Sequence, residues 1–163
     1  MQNTTSDLGI EQMVFEDIVD ILGRMLKTEL AVVQDTTAFE VASEDGGTII
    51  RVLVQDESEH NLVLLSADLG PLPPEGCEKL FRTMLEANNL FVGTAGATLA
   101  LDAATEHFRL QKAESPDVLA NDIEGEIEVF IETALTWSRI IADYRPAAEE
   151  EASDNGFSRM MPV

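Results

Sequence analysis

Basic residues are scarce in this chain: 10 Lys and Arg stand against 31 Asp and Glu, for a formal net charge of −21. Such a surface repels DNA, RNA and anionic membranes, all of which carry negative charge. No nucleic-acid partner is expected, and a basic or amphipathic protein is the partner this surface favours. Cysteine is nearly absent as well. The lone Cys77 rules out an internal disulfide framework and points to a reducing compartment. No apolar run exceeds the length of Leu62 to Leu65, far too short to cross a bilayer, so membrane insertion is not expected. The opening MQNTTSDLG has neither a basic n-region nor an apolar h-region. These absences give a cytoplasmic reading.

Groups that do chemistry are thinly spread. His60 falls in a charged turn and His107 opens a strand, without the His-x-x-x-His spacing or second cysteine that a zinc site needs. Each reads as a solvated histidine. Cys77 lies near a helix start, where a dipole can lower a thiol pKa, but no histidine is close in sequence. Asp56-Glu57-Ser58-Glu59 and Glu149-Glu150-Glu151 lack the alternating ligands and turn glycine of a calcium loop. Gly93-Thr94-Ala95-Gly96 lacks the Lys-Ser/Thr ending of a phosphate-binding loop and precedes a strand, which makes it a flexible connection. Neither an enzyme nor a metal or cofactor site is expected.

What the chain does have is patterned apolar residues. With 163 residues, 45% of them hydrophobic, it suits one domain with a modest core. Leu8 to Lys27 reads as a first helix, with Ser6 or Asp7 as its cap and Ile10, Val14, Ile18, Ile21, Leu22 and Met25 at helical spacing. Phe15, Val19 and Leu26 widen that stripe, so this helix needs cover on more than one side. Thr37 to Ser43, Thr48 to Gln55 and Asn61 to Ala67 read as an antiparallel meander. Its turns are Glu44-Asp45-Gly46-Gly47 and Asp56 to His60. Glu29 to Val33 could be a helix tail or a strand.

Pro71-Leu72-Pro73-Pro74 interrupts the chain, and a helix carrying Leu80, Phe81, Met84 and Leu85 should follow, closed at Asn88 or Asn89 in a left-handed conformation. Ala97 to Leu101 and His107 to Gln111 form a hairpin. Ser115-Pro116 starts a third helix that ends near Tyr144, with Leu119, Ile123, Ile127, Phe130, Ile131, Ala134 and Leu135 inward, and Gly125 weakening it slightly. The order is α-β-β-β-α-β-β-α, an α+β fold with three helices and a twisted antiparallel sheet. Residues 1–145 make the domain, and 146–163 read as a flexible acidic tail.

That order, together with Met84-Leu85, Asn89-Leu90-Phe91, Gly93, Gly96 and Ala97 to Asp102, resembles the signature segment of class I type III secretion chaperones, the Tir-chaperone family. Ala103 stands where that family often has proline. The resemblance implies a homodimer that holds an extended N-terminal segment of a secreted effector protein, soluble and export-competent, without ATP. It places the dimer interface on Leu80, Phe81, Met84, Leu85, Leu90 and Phe91. It places effector binding on Leu22, Met25, Leu26, Leu30, Val32 and Val33, where adaptable Met and Leu side chains suit a client pocket. A strand added to the sheet edge would supply main-chain hydrogen bonds. The alternative is an acidic nucleic-acid-mimicking inhibitor or regulator of a basic protein, in which the apolar stripes are core throughout.

Overall fold

The computed structural model describes residues 15–146. The first helix's beginning, with Ile10, Val14 and the Ser6 or Asp7 cap, and the tail from 147 onward lie outside the described residues. Along the chain run α1 (Phe15–Leu26), β1 (Thr36–Ala42), β2 (Ile49–Glu57), β3 (Leu62–Pro71), α2 (Glu78–Asn88), β4 (Thr98–Asp102), β5 (His107–Glu114), α3 (Pro116–Asn121) and α4 (Ile123–Asp143). The strands form one antiparallel sheet in the order β1-β2-β3-β5-β4.

Alternation sets which face is covered. Ile50, Val52 and Val54 of β2, Val63, Leu65 and Ala67 of β3, and Phe108 and Leu110 of β5 are buried on one side. Ile123, Ile127, Phe130, Ala134, Trp137 and Ile141 of α4 join them in the core, and Ile18 and Leu22 of α1 complete it. Leu53, Gln55, Leu64, Arg109 and Gln111 look the other way and stay only half-buried.

The element order matches the sequence expectation, with two local differences. The third helix is two pieces, because Asp122 leaves helical geometry (φ −158, ψ 63) and its carboxylate accepts from Gly125 N at 3.1 Å, capping α4. A Cβ at residue 125 would press on that carboxylate, so Gly125 serves the cap rather than merely weakening a helix. Asn88 and Asn89 do not close α2 in a left-handed conformation either; their φ values are −68 and −67. The positive φ falls on Leu90 (55) and Phe91 (56), two bulky residues for which it is costly. The segment from Glu29 to Val33 is neither helix nor strand, apart from a bridge between Val33 and Thr36.

Two hairpin turns are tied by carboxylates. Asp45 accepts from Ser43 Oγ at 2.5 Å and from Gly47 N at 3.0 Å, and these bonds, the first foremost, hold it below the usual carboxylate range. Asp102 is held down in the same way, by Thr105 first and by the Ala104 amide at 3.0 Å. A depressed folded pKa adds stability above the unfolded value, and that stability is lost as pH falls through the folded value. Acidification below about pH 4 is therefore expected to loosen both turns. The amide shifts of Gly47 and Ala104 should move in that range, and constant shifts from about pH 5 to about pH 2 would contradict it.

Candidate functional site

Two of the apolar surfaces left outside the core among the described residues carry the residues expected at partner contacts. The first lies at the end of α2 and in the 3-10 turn Asn89–Phe91 that follows it. Helical spacing turns Leu80 and Met84 into the core, at 2% and 5% exposure. It turns Leu85 outward, at 70%. Leu90, at 83%, stands out from the turn, and Phe91 and Val92 are exposed beside it. Phe81 bridges the two environments: it is part-exposed, and its ring meets the buried Phe108 edge-on with centroids 5.9 Å apart. An open groove of about 580 Å³ runs here between Glu78, Phe81, Arg82, Leu85, Glu86 and Asn89. Its charged rim is partly self-neutralised, since Arg82 Nε reaches Glu86 Oε1 at 2.9 Å, one helical turn away.

The loop after this turn is tied down rather than flexible. Trp137 Nε1 donates to Gly93 O at 2.9 Å, and Gly93 N donates to Ala87 O at 3.2 Å. A Cβ at Gly93 would lie 2.7 Å from that of Ala87, so only glycine lets the loop fold back this closely on α2. Thr94 is fully buried beneath it. The side-chain amide of Asn88 fastens the other end. Its Nδ2 donates to Leu99 O at 3.0 Å, and its Oδ1 accepts from Leu99 N at 2.8 Å.

The second surface follows α1. Leu22 is fully buried in the monomer, so it supports this surface from beneath and presents nothing to a partner. Met25, Leu26 and Leu30 are half-buried against the core. Val32 and Val33 are exposed, Val33 at 67%, and the Val33–Thr36 bridge carries them to the start of β1. A groove of about 400 Å³ opens beside them, lined by Val19, Asp20, Gly23, Arg24, Thr28, Glu29 and Leu30.

Of the twelve residues expected at partner surfaces, then, Leu80, Met84 and Leu22 belong to the monomer core. Val92, exposed in the apolar run Leu90-Phe91-Val92, was not among them. Trp137 was missed because a loop carbonyl far along the chain is its partner. Cys77 is buried, with Sγ 3.2 Å from Pro73 O. His60 is exposed, whereas His107 is not simply solvated: its Nδ1 lies 2.9 Å from Asp68 Oδ1. Arg109 sits in the same cluster, 3.6 Å from Asp68 and 3.5 Å from Asp102. Among the described residues, no group of three or more His, Cys, Asp or Glu could hold a metal ion. Among them, too, no helix is long and apolar enough to cross a membrane.

Comparison with known proteins decides the class. The profile of the Tir chaperone protein (CesT) family matches residues 20–138. The chain belongs to the CesT family. CesT proteins are class I type III secretion chaperones, so this one is a chaperone and not an enzyme. The fold agrees with solved structures. The ExsC–ExsE complex contains a chain similar to this one with a TM-score of 0.60 at 16% identity, covering 80% of this chain and 92% of that one. A chain of the HopA1–SchA chaperone–effector complex gives 0.58 at 15% identity, covering 80% and 94%. One from the heterodimeric ExoU–SpcU complex of the Pseudomonas aeruginosa type III secretion system gives 0.56 at 17%, covering 76% and 95%. A search of curated proteins by sequence found no significant match.

Proposed function

We propose that this CesT protein works in the cytoplasm as a homodimer that holds an extended N-terminal segment of a secreted effector, without ATP. The single observation that carries the reading is the pair of separate apolar surfaces on an otherwise strongly acidic chain. One surface suffices for self-association: Phe81, Leu85, Leu90, Phe91 and Val92 form a projecting patch, and a two-fold axis would bring two copies of it together. The other then stays free for a client. Val32 and Val33, over the half-buried Met25, Leu26 and Leu30, offer an adaptable apolar strip beside the sheet edge, where a client strand can hydrogen-bond to the main chain. Nothing in this mechanism turns over. Ordering the client costs several kcal/mol, which the long apolar contact offsets.

The surrounding carboxylates keep a chaperone carrying a sticky client in solution. They would also serve an acidic mimic, and salt separates the two readings. At about 1 M salt the Debye length falls to about 3 Å, so contacts between exposed charges are screened while apolar contacts persist. The complex with a captured effector is expected to lose less than about tenfold in affinity between about 0.1 and 1 M salt. A loss of a thousandfold or more would transfer the function to the charges.

A further inference from the structure

An open sheet has two edges, and both could in principle accept a partner strand. In this sheet the edge strands are β1 and β4. The ladder alternation identifies which main-chain groups point outward. Asp56 N donates to Asp35 O and Ser43 N to Thr48 O, so Asp35, Thr37, Phe39, Val41 and Ser43 face β2. Thr36, Ala38, Glu40 and Ala42 therefore face away. Thr36 is occupied by Val33, in bonds of 2.8 and 3.2 Å. Among the described residues, Ala38, Glu40 and Ala42 are left as a run of outward main-chain groups, two of them with side chains small enough for close approach.

On β4 the residues facing away from β5 are Leu99 and Leu101, with Ala97 just before the strand. Ala97 N is already bonded to Thr94 O at 3.0 Å. Leu99 is bonded twice by the Asn88 carboxamide, whose donor and acceptor stand side by side as the N–H and C=O of a single residue on a neighbouring strand do. Among the described residues of this edge, only Leu101 keeps its outward pair, too little to hold a strand. On the β4 edge, the central outward pair is thus closed by one side chain.

We propose that Asn88 is a strand-mimicking plug that closes the β4 edge and so confines strand addition to β1. This deepens the proposed function, because it specifies which edge a client can use. It also gives the asparagine a role beyond ending α2. With the tie removed, the last turn of α2 is free to fray from β4, as helix ends do.

Amide hydrogen exchange on the full chain reads the plug without any client. In the unaltered protein the Leu99 amide should exchange at least about tenfold more slowly than that of Leu101, although both point out of the same edge. Asn88→Ala should bring Leu99 to within a few-fold of Leu101, whereas Asn88→Asp, which keeps an acceptor for Leu99 N, should leave it slow. Equal rates in the unaltered protein, or a Leu99 amide that stays slow in Asn88→Ala, would overturn the proposal. Should Asn88→Ala fail to fold, the comparison within the unaltered protein still decides.

Edge choice is read with a synthetic probe of about ten alternating Val and Thr residues, lysine at both ends and a nitroxide label. It should broaden the amides of Ala38 to Ala42 and leave those of Leu99 to Leu101 sharp, with β4 broadening only in Asn88→Ala. Broadening at Leu101 in the unaltered protein would refute confinement to β1. A probe that broadens neither edge would count against strand addition as the client's mode of binding, while the Leu99 exchange rate would still decide on the plug.

Discussion

Leu85→Glu combined with Leu90→Glu is expected to turn the proposed dimer into monomers of 17.8 kDa while leaving the fold intact. Both side chains project into solvent from the monomer, so a carboxylate at either position keeps its hydration and costs the isolated chain almost nothing. In a two-fold interface each change occurs twice, and four carboxylates would be pressed into an apolar contact in a chain already at −21. Light scattering at micromolar concentration should fall to the monomer mass with an unchanged circular dichroism spectrum. Met84→Glu is the instructive contrast. Met84 lies on the same helix, one residue earlier, but inside the core, and a buried unpaired charge costs of the order of 3–5 kcal/mol. That variant should lose its structure together with its mass. If instead it dissociates while remaining folded, the assignment of Met84 to the monomer core is wrong.

Phe108→Ala should be the most destabilising of the simple core truncations, by about 3–5 kcal/mol. Phe108 is fully buried on β5, and it forms the floor against which Phe81 of α2 rests edge-on. Its loss leaves a cavity under the central part of the sheet and removes the contact that fixes the inner end of the α2 patch. Against a typical domain stability of about 5–15 kcal/mol, such a change is large enough to show as a clear drop in the urea midpoint. An unchanged midpoint would mean that the sheet and α2 do not share one core. Comparing Phe81→Ala separates the parts: it should weaken dimerisation more than it weakens the monomer, because its ring is half outside.

Most of the fold was legible because its signals are local. The strand segments Thr37 to Ser43, Thr48 to Gln55 and Asn61 to Ala67, the Ser115-Pro116 helix start and the turn at Glu44 to Gly47 each follow from a few neighbouring residues. The Ser115 cap is made as expected, its hydroxyl accepting from Val118 N. The break at Asp122 was missed because Asp-x-x-Gly inside a long apolar-periodic segment reads as continuous helix until the carboxylate is seen to bond Gly125 N. Which of the residues expected at partner surfaces are exposed was half legible. Periodicity marks Leu80, Met84 and Leu85 equally as apolar, and only the packing of α2 on the sheet decides that the first two point in and the third out. Likewise Leu22 shares a stripe with Met25 and Leu26 but sits deeper. Asn88 and Trp137 act through backbone groups 11 and 44 residues away, a distance at which sequence pattern carries no signal.

We propose that this CesT chaperone recognises an unfolded N-terminal segment through an apolar surface. Tagged protein should be captured from its native cytoplasm without added nucleotide and the bound proteins identified by mass spectrometry. One or two secreted proteins are expected, retained at high salt and lost when their N-terminal segments are deleted. Recovery of a basic nucleic-acid-binding protein that salt releases, or of secreted proteins that still bind without those segments, would contradict it.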